Sequence, residues 1–193
     1  WDRVGVTFTD DVHAFESQKL RLLNAGHQII ATAGEMLSIE TISGTMAHPL
    51  IAGLFRKIEV EEIVPHVAAV PSMTPLAYVD LVERRFCNAE IFDTTRRVAF
   101  DGSSRHAGFL HLIIRDALDA GTPIEGLTLV EALWARMCVG RREDGSAISP
   151  NDPFWDDLGM AAKAAKIDPQ AWLAQTQFYG DLGDNPRFAE SFA

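Results

Sequence analysis

Cysteine is scarce in this chain of 193 residues, with only Cys87 and Cys138 present. Two isolated thiols build no disulfide framework, so both are expected to be buried and free, in keeping with a reducing, cytoplasmic setting. No apolar run approaches the roughly 18–20 residues of a membrane helix. No basic stretch followed by an apolar one opens the chain, so no secretion signal is visible and no membrane association is expected. CxxC, HExxH, the Walker A loop and GxGxxG are all absent from the sequence. The six histidines (13, 27, 48, 66, 106 and 111) show no ligand spacing, and no metal is expected. Positive charge is in deficit, with 17 Lys+Arg against 27 Asp+Glu and a formal net charge of −10. That balance argues against nucleic acid as a main partner, because phosphate binding needs a basic face. Alternating strand patterns are nearly missing; only Val4 to Phe8 reads as a short strand.

What remains is ordinary globular material, 47% hydrophobic and 23% charged, enough for one domain with a sizeable core. Helical signals dominate. Thr9-Asp10-Asp11 offers N-caps for a long periodic segment from about His13 to Met36. Pro49 opens a second helix to about Val64, and Thr74-Pro75 a third to about Cys87. Asn88 to Phe100 reads as a short helix. Asp101-Gly102-Ser103-Ser104 reads as a turn before a helix that runs to Ala120 and is ended by Gly121. Thr128-Leu129-Val130-Glu131 has the form of a capping box for a helix to about Gly140. Asp152-Pro153 and Asp168-Pro169 each read as a cap with proline at the first helical position. The expected fold is all-α, with about eight helices.

The chemistry concentrates in Lys19-Leu20-Arg21-Leu22-Leu23-Asn24-Ala25-Gly26-His27. On a helix of about 100° per residue with Lys19 at the origin, Ile30 falls at about 20°, Leu23 at about 40° and Leu20 at about 100°. Arg21 and Gln28, at about 200° and 180°, mark the solvated face. Lys19 therefore sits in the middle of the apolar arc, with His27 at about 80° and Asn24 at about 140° on the same side. A desolvated lysine has its charged form disfavoured and becomes a candidate general base. A neighbouring Asn amide can donate to a developing oxyanion, and a His can position a substrate hydroxyl. Gly26 would let a partner approach closely. The same residues also admit a structural reading, in which the lysine snorkels to water and the histidine is satisfied inside the core.

A second group is Arg97 and Arg105, flanking Val98-Ala99-Phe100-Asp101-Gly102-Ser103-Ser104. Guanidinium forks beside small hydroxyls suit a polyhydroxylated or anionic ligand. The competing reading makes Arg96 and Arg97 a surface charge pair, with Asp101 and Ser104 merely capping the next helix.

Taken together, Val4 to Val12, the K-x-x-x-x-N-x-x-H segment and Arg97 to Arg105 resemble the carboxyl-terminal domain of the polyol-specific long-chain dehydrogenases. This is the family of mannitol 2-dehydrogenase, D-arabinitol dehydrogenase and fructuronate reductase. The resemblance implies a helical substrate domain over 1–193, like the C-terminal domain of 6-phosphogluconate dehydrogenase. It implies that an NAD-binding Rossmann domain, absent from this chain, would precede Trp1, so that the piece alone would be inactive. It makes Lys19 the general acid/base of a metal-independent enzyme and Asn24 one arm of the oxyanion hole. His27, Arg97 and Arg105 would bind substrate, with Arg105 standing where the family commonly carries Lys. The implied reaction is NAD-dependent oxidation of mannitol or D-arabinitol to the ketose by a monomer or small oligomer. Hexuronate (fructuronate or tagaturonate) reduction is the rival within the family, and a non-catalytic helical binding or dimerisation module the rival outside it.

Overall fold

A computed structural model describes residues 2–4, 6, 8–71 and 73–193. The fold is all-α, and among the described residues the only β pairing is three isolated bridges. No helix in them is long and apolar enough to cross a membrane. Among the described residues of the span expected as a strand, Val4 to Phe8, no strand forms: Asp2–Val4 is a single 3-10 turn. Gly5 and Thr7 of that stretch lie outside the described residues.

The long N-terminal helix forms, with a change of gauge in its middle. α1 (Val12–Gln18) is capped by Asp11, whose carboxylate accepts the Ala14 N–H. A π-helical segment, π1 (Lys19–Asn24), follows, and α2 (Ala25–Met36) continues the same rod. The Ala25 N–H reaching back five residues to the Leu20 carbonyl marks the wider turn. Every residue of α2 except His27 is buried. A helix enclosed on all sides has no solvated stripe, which overturns the expected one: Gln28 is fully buried, and Arg21 is half-buried against Asp116.

Shorter helices wrap this rod. α3 (Ile42–Met46) leads into α4 (Pro49–Ile58), π2 (Glu59–Ile63) and a final 3-10 turn. α5 (Pro75–Phe86) starts at Thr74, whose hydroxyl accepts the Ala77 N–H. The helix expected over Asn88 to Phe100 shrinks to α6 (Thr95–Val98). Asn88 takes the Glu90 N–H and Thr94 takes the Arg97 N–H, and these local bonds hold the preceding loop out of helical form.

The turn expected at Asp101 to Ser104 is also shorter. Asp101 alone makes the bend, in the left-handed region at φ 58°, and α7 (Gly102–Arg105) begins at once. The Asp152 carboxylate caps it by accepting the Ser103 N–H and hydroxyl. The later helix starts at Trp155 instead of Pro153, and Asp152 Oδ1 accepts the Phe154 N–H just before it. π3 (His106–Leu110) and α8 (His111–Ala120) complete the rod, and Gly121 ends it at φ 68°.

α9 (Glu125–Cys138) starts three residues before the expected capping box. The Thr128 hydroxyl donates to the Ile124 carbonyl, and Glu131 turns into the core. α10 (Trp155–Ala165), α11 (Gln170–Leu173), α12 (Thr176–Tyr179) and α13 (Pro186–Phe192) cover α9. Cys138 is buried as expected, but Cys87, at the open end of α5, is exposed.

Candidate active site

The site lies where α2 emerges from its π turn. A wider turn rotates less per residue, so Asn24 comes round much closer to Lys19 than the about 140° of an α-helix. Asn24 is half-buried, while Lys19 is exposed rather than lodged in an apolar arc. The reason is the change of gauge: one π turn shifts the phase of everything that precedes α2.

His27 is the side chain through which α2 meets the surface. Its ring packs on Phe86 of α5, with centroids 4.4 Å apart. It lines a cleft of about 210 Å³ together with Leu23, Ile42, Arg85, Phe86 and Asp93. Burial lowers its pKa to about 4, Asp93 works against that, and the positive charges of Arg97, Arg105 and Lys19 reinforce it. The imidazole is therefore neutral at physiological pH. These charges come from α6, α7, π1 and the loop before α6.

Arg97 and Arg105 arrive differently. Arg105 ends α7, whose continuation π3 packs on both π1 and α2. Among the described residues its side chain has no hydrogen bond and no carboxylate partner, and the same holds for the side chains of Lys19, Asn24 and His27. Arg97 is exposed and bound: its Nε donates to Asp93 Oδ1 at 2.6 Å and its Nη2 to Asp93 Oδ2. That pair holds the Asp93 carboxyl below its usual range, against the smaller upward push of burial. The expected Arg96–Arg97 surface pair does not form, because Arg96 turns away to the carbonyls of Ser149 and Pro150.

Gly26 does admit a close neighbour, but an internal one. A Cβ there would stand 2.7 Å from Glu59 Oε1 and 3.0 Å from Phe55. The close approach thus serves packing between α2, α4 and π2 and leaves no room for a ligand.

The family model for the mannitol dehydrogenase C-terminal domain matches residues 11–193. The chain belongs to that family. A mannitol 2-dehydrogenase of Cereibacter sphaeroides is 48% identical over 192 residues, which are 100% of this chain and 40% of that protein. A mannitol 2-dehydrogenase of Pyricularia oryzae is 30% identical, over 97% of this chain and 38% of that one. Among solved structures, the Pseudomonas fluorescens mannitol 2-dehydrogenase in ternary complex with NAD and D-mannitol superposes with a TM-score of 0.92 at 30% identity. It covers 100% of this chain, which spans 39% of that one. A substrate-free D-sorbitol dehydrogenase gives a TM-score of 0.88 at 26% identity, over 99% of this chain and 40% of that one.

This mannitol dehydrogenase C-terminal domain thus spans about two fifths of the polyol dehydrogenases it matches. Two neighbours of His27 were not legible as site residues. Asp93 sits in a loop that reads as helix, and Phe86 reads as one more core position of α5. An acidic residue four positions before Arg97 was the available signal for Asp93, since that spacing pairs side chains on one helical face.

Proposed function

We propose that the chain is the substrate-binding part of an NAD-dependent polyol dehydrogenase that oxidises a secondary carbinol, in mannitol or D-arabinitol, to the ketone. The observation that supports it best is the π turn over Lys19–Asn24, which rotates less per residue than an α-helix and so turns Asn24 toward the side of Lys19, just before the helix that carries the neutral His27. The described residues build no dinucleotide cradle of their own, and the larger part of the full protein is proposed to supply one. NAD, when bound there, accepts the hydride released from the carbinol carbon.

The chain's own groups handle the proton and the oxygen. Lys19, in its neutral form, takes the hydroxyl proton of the reacting carbinol. The Asn24 amide donates to the oxygen as it gains charge. His27, held uncharged by burial and by the surrounding cations, can both accept from and donate to a neighbouring hydroxyl. Arg105 and the remaining Nη1 of Arg97 hold hydroxyls further along the chain. Lys19 is exposed, so desolvation would come from the rest of the protein closing over it.

Lys19→Ala in the full-length protein tests this. Loss of the general base should lower mannitol oxidation by at least about a hundredfold. Thermal stability should move by no more than about 0.5 kcal/mol, as expected for an exposed side chain. Near-normal turnover with NAD would overturn the assignment.

A further inference from the structure

We propose that Asp93 is a specificity-determining residue: by filling the Nε–Nη2 edge of Arg97, matching its charge and setting a fixed negative charge in the cleft, it favours uncharged polyhydroxyl chains over analogues that end in a carboxylate. The inference rests on the dehydrogenase reading above and narrows its substrate class.

An exposed arginine beside a sugar-sized cleft is the natural receptor for a sugar acid, because its two parallel N–H groups match a carboxylate. Here the inner, Nε–Nη2 edge is already filled, and the charge of the arginine is matched by a carboxylate. Nε and Nη2 of Arg97 donate to the two carboxylate oxygens of Asp93. The anchor of the pair is the acid. Asp93 Oδ1 also accepts the Thr94 N–H at 2.8 Å, and the Asp93 carbonyl accepts the Ile42 N–H at 3.0 Å. Its side chain is 20% exposed, whereas that of Arg97 is 64% exposed. The arginine folds back onto a fixed carboxylate.

Asp93 also lines two neighbouring hollows, one with His27 and the other with Arg97. A hydroxyl entering there finds an acceptor in Asp93 and donors in the free N–H groups of Arg97, which suits a group that is both donor and acceptor. A carboxylate can reach only the outer Nη1–Nη2 edge of an arginine whose charge is already matched, and it meets the fixed negative charge of Asp93 beside it, an arrangement that discriminates by repulsion. Arg105, Lys19 and Arg85 keep the surroundings positive, but none of them is bound to Asp93. Their charge attracts an anion, but the Nε–Nη2 edge of Arg97 stays closed to it by Asp93.

The test uses the intact enzyme and two ketoses that differ at one end, D-fructose and D-fructuronate, reduced with NADH. Wild type should favour fructose in kcat/KM by at least about a hundredfold. Asp93→Asn, which keeps shape and removes charge, should shift the ratio toward fructuronate by at least about tenfold, chiefly through KM. A wild type that prefers fructuronate, or an Asn variant with an unmoved ratio, overturns the inference. If the variant does not fold, inhibition of the wild type decides. D-mannonate should inhibit fructose reduction weakly, and strong competitive inhibition overturns the inference. A wild type that reduces neither sugar overturns the dehydrogenase reading and takes this inference with it. Activity on fructose with an unmoved ratio overturns this inference alone.

Discussion

Replacing Glu59 with methionine should make the protein more stable. Glu59 opens π2, is completely buried, and neither carboxyl oxygen has a hydrogen-bond partner among the described residues. It lies between Gly26, Phe55 and Phe86, while Arg56 is committed to Asp80 and Glu83. Burial raises its pKa well above the usual carboxylate value, and Arg56 offsets this only in part. An unpaired buried polar group costs about 1–3 kcal/mol. A second cost grows with pH. A raised folded pKa means that stability is fully present below the unfolded value of about 4.3 and is lost as pH rises toward the folded value. Each pH unit over which only the folded state holds the proton removes about 1.4 kcal/mol. Methionine fills a similar volume without either cost. At pH 7 the variant should melt at least about 2 °C higher, since 1 kcal/mol shifts Tm by about 2–4 °C at this size. Glu59→Gln should lose the pH dependence but keep the unpaired amide, and so gain less. The assay is thermal denaturation followed by circular dichroism at pH 5, 6, 7 and 8. A lower Tm for Glu59→Met at pH 7, or a difference from wild type that stays constant from pH 5 to pH 8, would refute the reasoning.

Helix identity was readable from local chemistry wherever one residue did the work. Asp11, Thr74 and Gly121 each stand where their cap chemistry indicates. Boundaries shifted where a distant side chain intervened. Asp152 caps α7 from 49 positions away, and no local pattern announces that. Thr128 and Glu131 have the spacing of a capping box, but His106, His111 and Tyr179 claim Glu131 for the core. The residue types of the candidate site were legible as a motif, and the exposure of its members was not. A wheel drawn at a constant 100° assigns Lys19 to the interior and Gln28 to water, and the observed burial is the reverse.

That reversal follows from the π segments. Each of the three has an N–H that reaches back five residues: Ala25 to Leu20, Val64 to Glu59 and His111 to His106. π1 packs against both π2 and π3. Inserting one residue into a helix costs some hydrogen-bond geometry, and such insertions concentrate at functional sites. Here the insertion serves two demands that a plain α-helix cannot meet together. α2 must be enclosed on every side to form the centre of the core. Its N-terminal continuation must present Lys19 to the outside while keeping Asn24 near it. A change of gauge at residue 19 resets the phase between those two stretches.

Two further predictions concern buried ionisation. Burial alone would raise the Glu131 carboxyl, but the imidazoles of His106 and His111 beside it more than reverse that and hold it well below its usual range. The Tyr179 hydroxyl donates to it at 2.7 Å. Glu131→Ala strands these three groups and should cost about 3–5 kcal/mol in urea denaturation at pH 7. A depressed folded pKa gives stability that is present above about pH 4.3 and lost on further acidification, so the gap should narrow at pH 3. A loss below about 1 kcal/mol at pH 7 would contradict the network. His27 carries the second prediction. Its folded pKa is lowered to about 4, below the about 6.5 of an unfolded chain. Between those values the unfolded chain binds more protons than the folded one, so stability should rise with pH across that window. The His27 ring resonances should stay constant from pH 8 down to about pH 5.5 and then shift as the ring titrates near pH 4. Asp93→Asn removes the one negative charge that opposes the shift, so it should move the inflection lower still. An inflection near the ordinary histidine value in the wild type would show that the ring is solvated. The imidazole proposed beside the carbinol would then be neutral only above about pH 6.5, and no longer held so by its surroundings.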